Sequence, residues 1–255
     1  MKTIPLTEIV KYFDEILKID SIPDKANNGL QIEASLNISQ IVFAVDTSLK
    51  LFEFAKEKNA ELVFTHHGIS WNDELKRITG INAKRISFLF KNNISLYSAH
   101  LPLDCHPTLN HNTIIAKKIL LTKCKAFAKF ANTYIGVKGF LRKKSVPPEL
   151  AKLLNKILNT KSKIYGNVSR NISKIAIIAG SPGTEAIIEA ARQNIDCLIT
   201  GEIHHSSFHT IEESGISVIA AGHYATEKPG IIALMNKVSN DLKIKTNFFE
   251  YKTGM

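Results

Sequence analysis

The sequence predicts an α/β protein built as two similar α/β lobes facing each other. Three observations predict this. Apolar runs of strand length alternate with amphipathic stretches of helix length, the pattern of strand–helix–strand units. Residues 41–65 and 175–200 repeat the order strand, helix, strand at nearly equal length, and each repeat ends on threonine, Thr65 and Thr200. This reads as an internal duplication. The chain has 255 residues, enough for two lobes with a core each.

Taken in order, Leu6, Ile9, Val10, Phe13, Ile16 and Leu17 recur at helical spacing and predict a helix near 5–18. Asn27-Asn28-Gly29 reads as a turn, and with Gln31 it offers three amide side chains to hold a substrate or order a loop. Residues 41–45 form a strand with Asp46 at its exit, and Ser48 caps a helix running to about Lys58. A second strand runs into Thr65-His66-His67-Gly68. Trp71 follows, either walling the strand exit or packing. A helix near 82–92 leads to a third strand, 94–99, which exits into His100-Leu101-Pro102-Leu103-Asp104. Residues 111–121 form another helix.

Residues 122–172 break the rhythm. They hold β-favouring residues from 126 to 141 and a helix opened by Pro147-Pro148. From Lys117 to Lys174 there are fifteen Lys or Arg and one acid, Glu149, so this stretch carries +14 of a net +10. Such a face attracts polyanions, though a lysine-rich solvated surface has the same composition. The rhythm returns at strand 175–179 and Gly180-Ser181-Pro182-Gly183-Thr184, a tight turn with some likeness to a phosphate-cradling one. A helix to about Gln193 and strand 197–200 follow, then Gly201-Glu202 and a helical stretch with His204, His205 and His209. The last core strand, 218–221, exits into a loop Gly222-His223-Tyr224-Ala225-Thr226-Glu227-Lys228-Pro229-Gly230. A helix to about Leu242 and a strand near 243–249 close the chain. The expected organisation is a first lobe over 1–121, a basic bridge over 122–172 and a second lobe over 173–255 interleaved with the first.

Composition narrows the function classes. Hydrophobic content is 44%, and no apolar run approaches the ~20 residues that span a bilayer. The start, MKTIPLTEIV, lacks an apolar core of signal-peptide length. Cys105, Cys124 and Cys197 form no CxxC pair, as expected of a reducing compartment. A soluble cytoplasmic protein is the expectation.

Open α/β sheets bind their ligands at the carboxyl ends of the strands. Here those ends carry His66 and His67, then Asp104, then His223 and Glu227, with His100 and Glu202 nearby. Neighbouring residues of an extended chain point to opposite sides, so His66 and His67 suit two ions better than one. Imidazole and carboxylate donors without thiolate favour Zn, Mn or Fe. Three imidazoles and two carboxylates do not saturate two ions, which is how a hydrolytic two-metal site keeps room for water. His100 or Glu202 would shuttle protons or orient a ligand, and His209 fits an orienting role.

Asn27-Asn28-Gly29-Leu30-Gln31, Thr65-His66-His67-Gly68, His100-Leu101-Pro102-Leu103-Asp104, Thr200-Gly201-Glu202 and Gly222-His223-Tyr224-Ala225-Thr226-Glu227 resemble, in order, the motifs of the GTP cyclohydrolase I type 2 family, also called Nif-three-like proteins. The family often has Asp where Asn27 stands, and the chain looks like the family's short form, without a large central insertion. The resemblance implies a dinuclear metal site of His66, His67, Asp104, His223 and Glu227 between two α/β lobes, and a ring-shaped homohexamer. It also implies a nucleotide hydrolase with GTP as substrate. The rival is a ring that binds nucleic acid or a protein partner and uses its metals as structural ties.

Overall fold

A computed structural model describes residues 2–72, 75 and 77–254. The chain divides into two compact units, Met1–His106 with Gly230–Tyr251, and Pro107–Pro229 with Lys252–Met255. The first begins with β1 (Ile4–Pro5), α1 (Leu6–Leu17), β2 (Gly29–Ile32), β3 (Asn37–Ile38), β4 (Gln40–Asp46) and α2 (Leu49–Glu57). It continues with β5 (Leu62–His67), α3 (Gly80–Lys91), β6 (Ser95–Ser98) and α4 (Leu101–Asp104). The second contains α5 (His111–Lys118), β7 (Thr122–Phe130), β8 (Thr133–Ser145), α6 (Pro147–Leu158), β9 (Lys163–Gly166) and β10 (Ile172–Ile178). It goes on through α7 (Gly183–Arg192), β11 (Cys197–Thr200), α8 (Phe208–Ser214) and β12 (Ser217–Ala220). Helix α9 (His223–Leu242) starts in the second unit and carries the chain back to the first, where β13 (Lys245–Phe248) ends it.

The first unit's main sheet has the order β13-β4-β5-β6-β2. β13, β4, β5 and β6 are parallel and β2 runs antiparallel at the edge. Both faces of its central strands are buried, as parallel sheets require. Alternate residues Phe43, Phe64 and Tyr97 meet Phe13 of α1, whose ring lies 4.9 Å from both Phe64 and Tyr97. Val42, Ala44, Val63 and Leu96 belong to a second cluster with Leu51, Phe52 and Leu89 of α2 and α3. The α2 N-terminus is capped as expected, with Ser48 Oγ accepting from the Leu51 N–H.

The second unit's sheet has the order β7-β8-β10-β11-β12-β9. Ile175, Ile177, Ile199 and Ile219 pack with α5 and α6, while Ala176, Ile178, Leu198 and Val218 pack with α7 and α8. The repeat read from sequence extends further than 41–65. In each unit three parallel strands linked by two helices are flanked by an antiparallel strand drawn from earlier in the chain, β2 beside β6 and β9 beside β12. The registers correspond, with Ala44 opposite Thr65 in one and Ile178 opposite Thr200 in the other.

Two expectations need correction. Residues 122–172 are not a bridge. β7 and β8 pair with one another and through β8 with β10, and β9 pairs with β12, so the basic stretch completes the second sheet. The first unit ends at His106 rather than near 121 because Ile115 and Ala116 of α5 belong to the second unit's core. Residues 222–230 are likewise not a loop. The helix starts at His223 and continues past Pro229. Proline costs an interior helix one hydrogen bond, but Ile231, Leu234 and Val238 bury fully on the far side of it and hold the helix together.

Candidate metal centre

In the first unit the site forms where β5 and β6 end. Thr65 Oγ1 and Ser98 Oγ bond at 2.7 Å and tie the two strand ends together. His66 is fully buried, and its Nδ1 lies 3.0 Å from the Ala99 carbonyl oxygen. His67 stands opposite Asp46 across the β4–β5 ladder, and its Nδ1 lies 2.7 Å from that carboxylate. His100, just before α4, has its Nδ1 3.0 Å from Oδ1 of Asp24. Each of these acceptors can only accept, so each Nδ1 carries a proton and Nε2 of the neutral ring carries the lone pair. Although strand geometry sends adjacent side chains apart, the His66 and His67 rings lie only 4.7 Å apart, with His100 at 4.9 Å from His66 and 5.6 Å from His67. One ring nitrogen from each of His66, His67 and His100 falls within 4.8 Å of the others. Asp104, at the end of α4, places Oδ2 3.8 Å from Nε2 of His66. That is too long for a hydrogen bond and no longer than two coordination bonds to a shared cation.

The amide-rich turn orders loops. Asn28 Oδ1 accepts from the His100 N–H, and Gln31 Oε1 accepts from the Ile69 N–H while its Nε2 donates to the Asn27 carbonyl. Gly68 makes this clamp possible, because a Cβ there would fall 2.3 Å from Gln31 Oε1. Asn27 Nδ2 donates to Ser70 Oγ and the Asn72 carbonyl. Trp71 walls the histidines as well as packing, with its ring 5.1 Å from His100 and 6.0 Å from His67.

In the second unit, the helical start of α9 puts His223 and Glu227 one turn apart. Nε2 of His223 lies 3.1 Å from Glu227 Oε2, and its Nδ1 lies 3.1 Å from Glu202 Oε1. Burial alone would lower the imidazole's pKa, but the hydrogen bonds and charges of Glu227 and Glu202 raise it to about 9. Gly180, at φ 68°, lets the chain pass this carboxylate, since a Cβ there would sit 2.3 Å from Glu227 Oε1. His209 is exposed on α8 with its ring against Phe208, and His204 bonds Ser181.

The first unit thus brings together His66, His67, His100 and Asp104, and the second brings together Glu202, His223 and Glu227. The chemistry of these donors fits divalent cations of the Zn, Fe or Mn kind: imidazole nitrogens with fixed tautomers, carboxylates and no thiolate. Sequence reading missed Asp24 and overlooked what Asp46 does. Register was the available signal for Asp46, which lies opposite His67. For Asp24, 76 residues from His100, the sequence carried none.

Comparison with known proteins agrees with this geometry. A Pyrococcus abyssi protein named GTP cyclohydrolase 1 type 2 homolog is 38% identical over 249 residues, covering 97% of this chain and 98% of its own. A Deinococcus radiodurans protein of the same name is 37% identical over 248 residues, 97% of this chain and 94% of its own. Among solved structures, the protein ybgI superposes with a TM-score of 0.92 at 31% identity, covering 99% of this chain and 100% of the other. A Thermus thermophilus protein, TTHA1606, does so with a TM-score of 0.86 at 28% identity, over 99% of this chain and 100% of its own. The model of one family, Duf34/NIF3 (NGG1p interacting factor 3), matches residues 4–254. The chain belongs to the Duf34/NIF3 family.

Proposed function

We propose that this protein is a hydrolase that depends on two divalent metal ions and acts on a nucleotide, with GTP as the substrate suggested by its relatives' names. His66, His67, Asp104, His223 and Glu227 would be the ligands. The observation that carries the reading is the shared arrangement of His66, His67, His100 and His223, each with Nδ1 facing an acceptor oxygen. Side chains that merely fill a core have no need of one common tautomer, whereas metal ligands do.

When bound, such ions supply Lewis acidity and bring a water's pKa towards neutrality. The chain's own residues do the rest. Asp46 and the Ala99 carbonyl hold two imidazoles in the ligating tautomer. Glu202 does the same for His223 and stands ready to take or return a proton at that Nδ1. Trp71 limits water around the first cluster. On GTP the overall change consumes water, opens the five-membered ring of guanine, releases C8 as formate and yields 7,8-dihydroneopterin triphosphate. Lys and Arg side chains between 117 and 174 supply positive charge suited to the triphosphate. His209, exposed on α8, has no part in this reading. A homohexamer is the assembly we expect.

Formate release and pterin fluorescence, followed with metal-loaded protein and GTP, test the reading. Both should appear with the wild type and vanish with His67→Ala. Metal uptake without GTP turnover would reject GTP and direct the search to other nucleotides and phosphoesters.

The +14 stretch from Lys117 to Lys174 favours a second reading, a nucleic-acid-binding protein with structural metals. That reading requires salt-sensitive DNA binding that survives Glu227→Ala.

A further inference from the structure

We propose that His100 is a metal ligand in its own right, held for that task by Asp24, so that the first unit alone supplies three imidazoles to one cation. The inference rests on the metal-dependent reading above and adds a donor to it. The geometry lies within one unit. His100 shares with His66 and His67 a space in which one ring nitrogen of each comes within 4.8 Å of the others. With Nδ1 of each ring turned to an acceptor, Nε2 is the nitrogen left to donate. Lone pairs of neutral imidazoles brought so close repel one another, and a cation among them turns that repulsion into coordination.

Nothing about His100 is loosely placed. Its backbone N–H donates to Asn28 Oδ1 at 2.7 Å, the next N–H, of Leu101, donates to Asp24 Oδ2 at 2.9 Å, and its Nδ1 lies 3.0 and 3.1 Å from the two Asp24 oxygens. The Asp24 side chain is only 3% exposed. It also accepts from the Ala26 N–H and the Asn28 amide, so residues 24–28 form a brace whose outcome is the orientation of one imidazole. This is the carboxylate–histidine arrangement that fixes tautomer and ring plane at metal sites. Trp71, edge-on to the His100 ring at 5.1 Å, keeps bulk water from competing on that side. Asp24 is therefore a positioning residue and His100 the donor it positions.

The test counts imidazoles. The full-length chain is stripped with a chelator, and His223→Ala with Glu227→Ala confines binding to the first unit. This background is loaded with one equivalent of Cu2+, and pulsed electron paramagnetic resonance counts coordinated imidazoles through their remote nitrogens. Three are expected, falling to two when His100→Ala is added, with Zn2+ affinity falling ~100-fold. Asp24→Asn should keep three but weaken Zn2+ binding ~10-fold, the effect of losing an orienting partner. Circular dichroism verifies folding, and His100→Asn, which keeps a polar side chain at the start of α4, is read the same way if the alanine variant unfolds. A count of two with His100 present, or Zn2+ affinity unchanged by its loss, overturns the inference and leaves the hydrolase reading standing. A wild-type chain that takes up no Zn2+ overturns both.

Discussion

Asp24 accepts from Ala26, Asn28, His100 and Leu101, and its ionisation reflects that company. Burial alone would raise its carboxyl, yet the hydrogen bond and charge of His100, with the bonds from Asn28 and Ala26, lower it from 3.8 to about 2. A depressed acid stabilises the fold above its unfolded value and loses that contribution as pH falls through the folded one. The window is therefore from about 4 down to about 2, and the contribution is ~1–2 kcal/mol once solvent screening is allowed for. Urea unfolding at several pH values should show wild-type stability dropping across that window and Asp24→Asn showing a flatter profile. His223 behaves oppositely. Its raised value of about 9, against an ordinary 6.5, means stability present below 6.5 and lost as pH rises through 9. In the metal-free chain this amounts to ~2–3 kcal/mol, and His223→Ala should abolish the decline between pH 6.5 and 9.

Among the elements, α1 docks on the first sheet through one ring. Phe13 is fully buried against Phe43, Phe64 and Tyr97. Phe13→Ala should cost ~3–5 kcal/mol by urea denaturation. A cost below ~1 kcal/mol would mean that α1 contributes little to that core. Most elements were legible because their periodicities are strong: Leu6, Ile9, Phe13 and Leu17 repeat as a helix does, and 41–45 reads as a buried strand. The start of α9 was not. Pro229-Gly230 signals a break locally, and what overrides it is burial of Ile231, Leu234 and Val238, which depends on tertiary packing. The oversight matters, since a helical start is what sets His223 and Glu227 one turn apart and facing one another.

On the scale of the whole molecule, the duplication seen in two sequence segments turned out to be a repeated topology of three parallel strands and one antiparallel neighbour. Its equivalent strand ends carry different chemistry, His66-His67 after Thr65 and Gly201-Glu202 after Thr200. The ligand types were legible because they sit at strand exits. The acids that orient them were harder to see, since Asp24 acts across 76 residues and Asp46 across a ladder. The basic stretch misled because composition reports charge and says nothing of pairing: β7, β8 and β9 add to the second sheet while turning lysines outward.

Metal content per chain, measured by elemental analysis of chelator-stripped protein reloaded with Zn2+ and freed of excess, tests the central claim most directly. Two ions per wild-type chain and fewer with His67→Ala are predicted. No retained metal, or equal retention by both proteins, would contradict it.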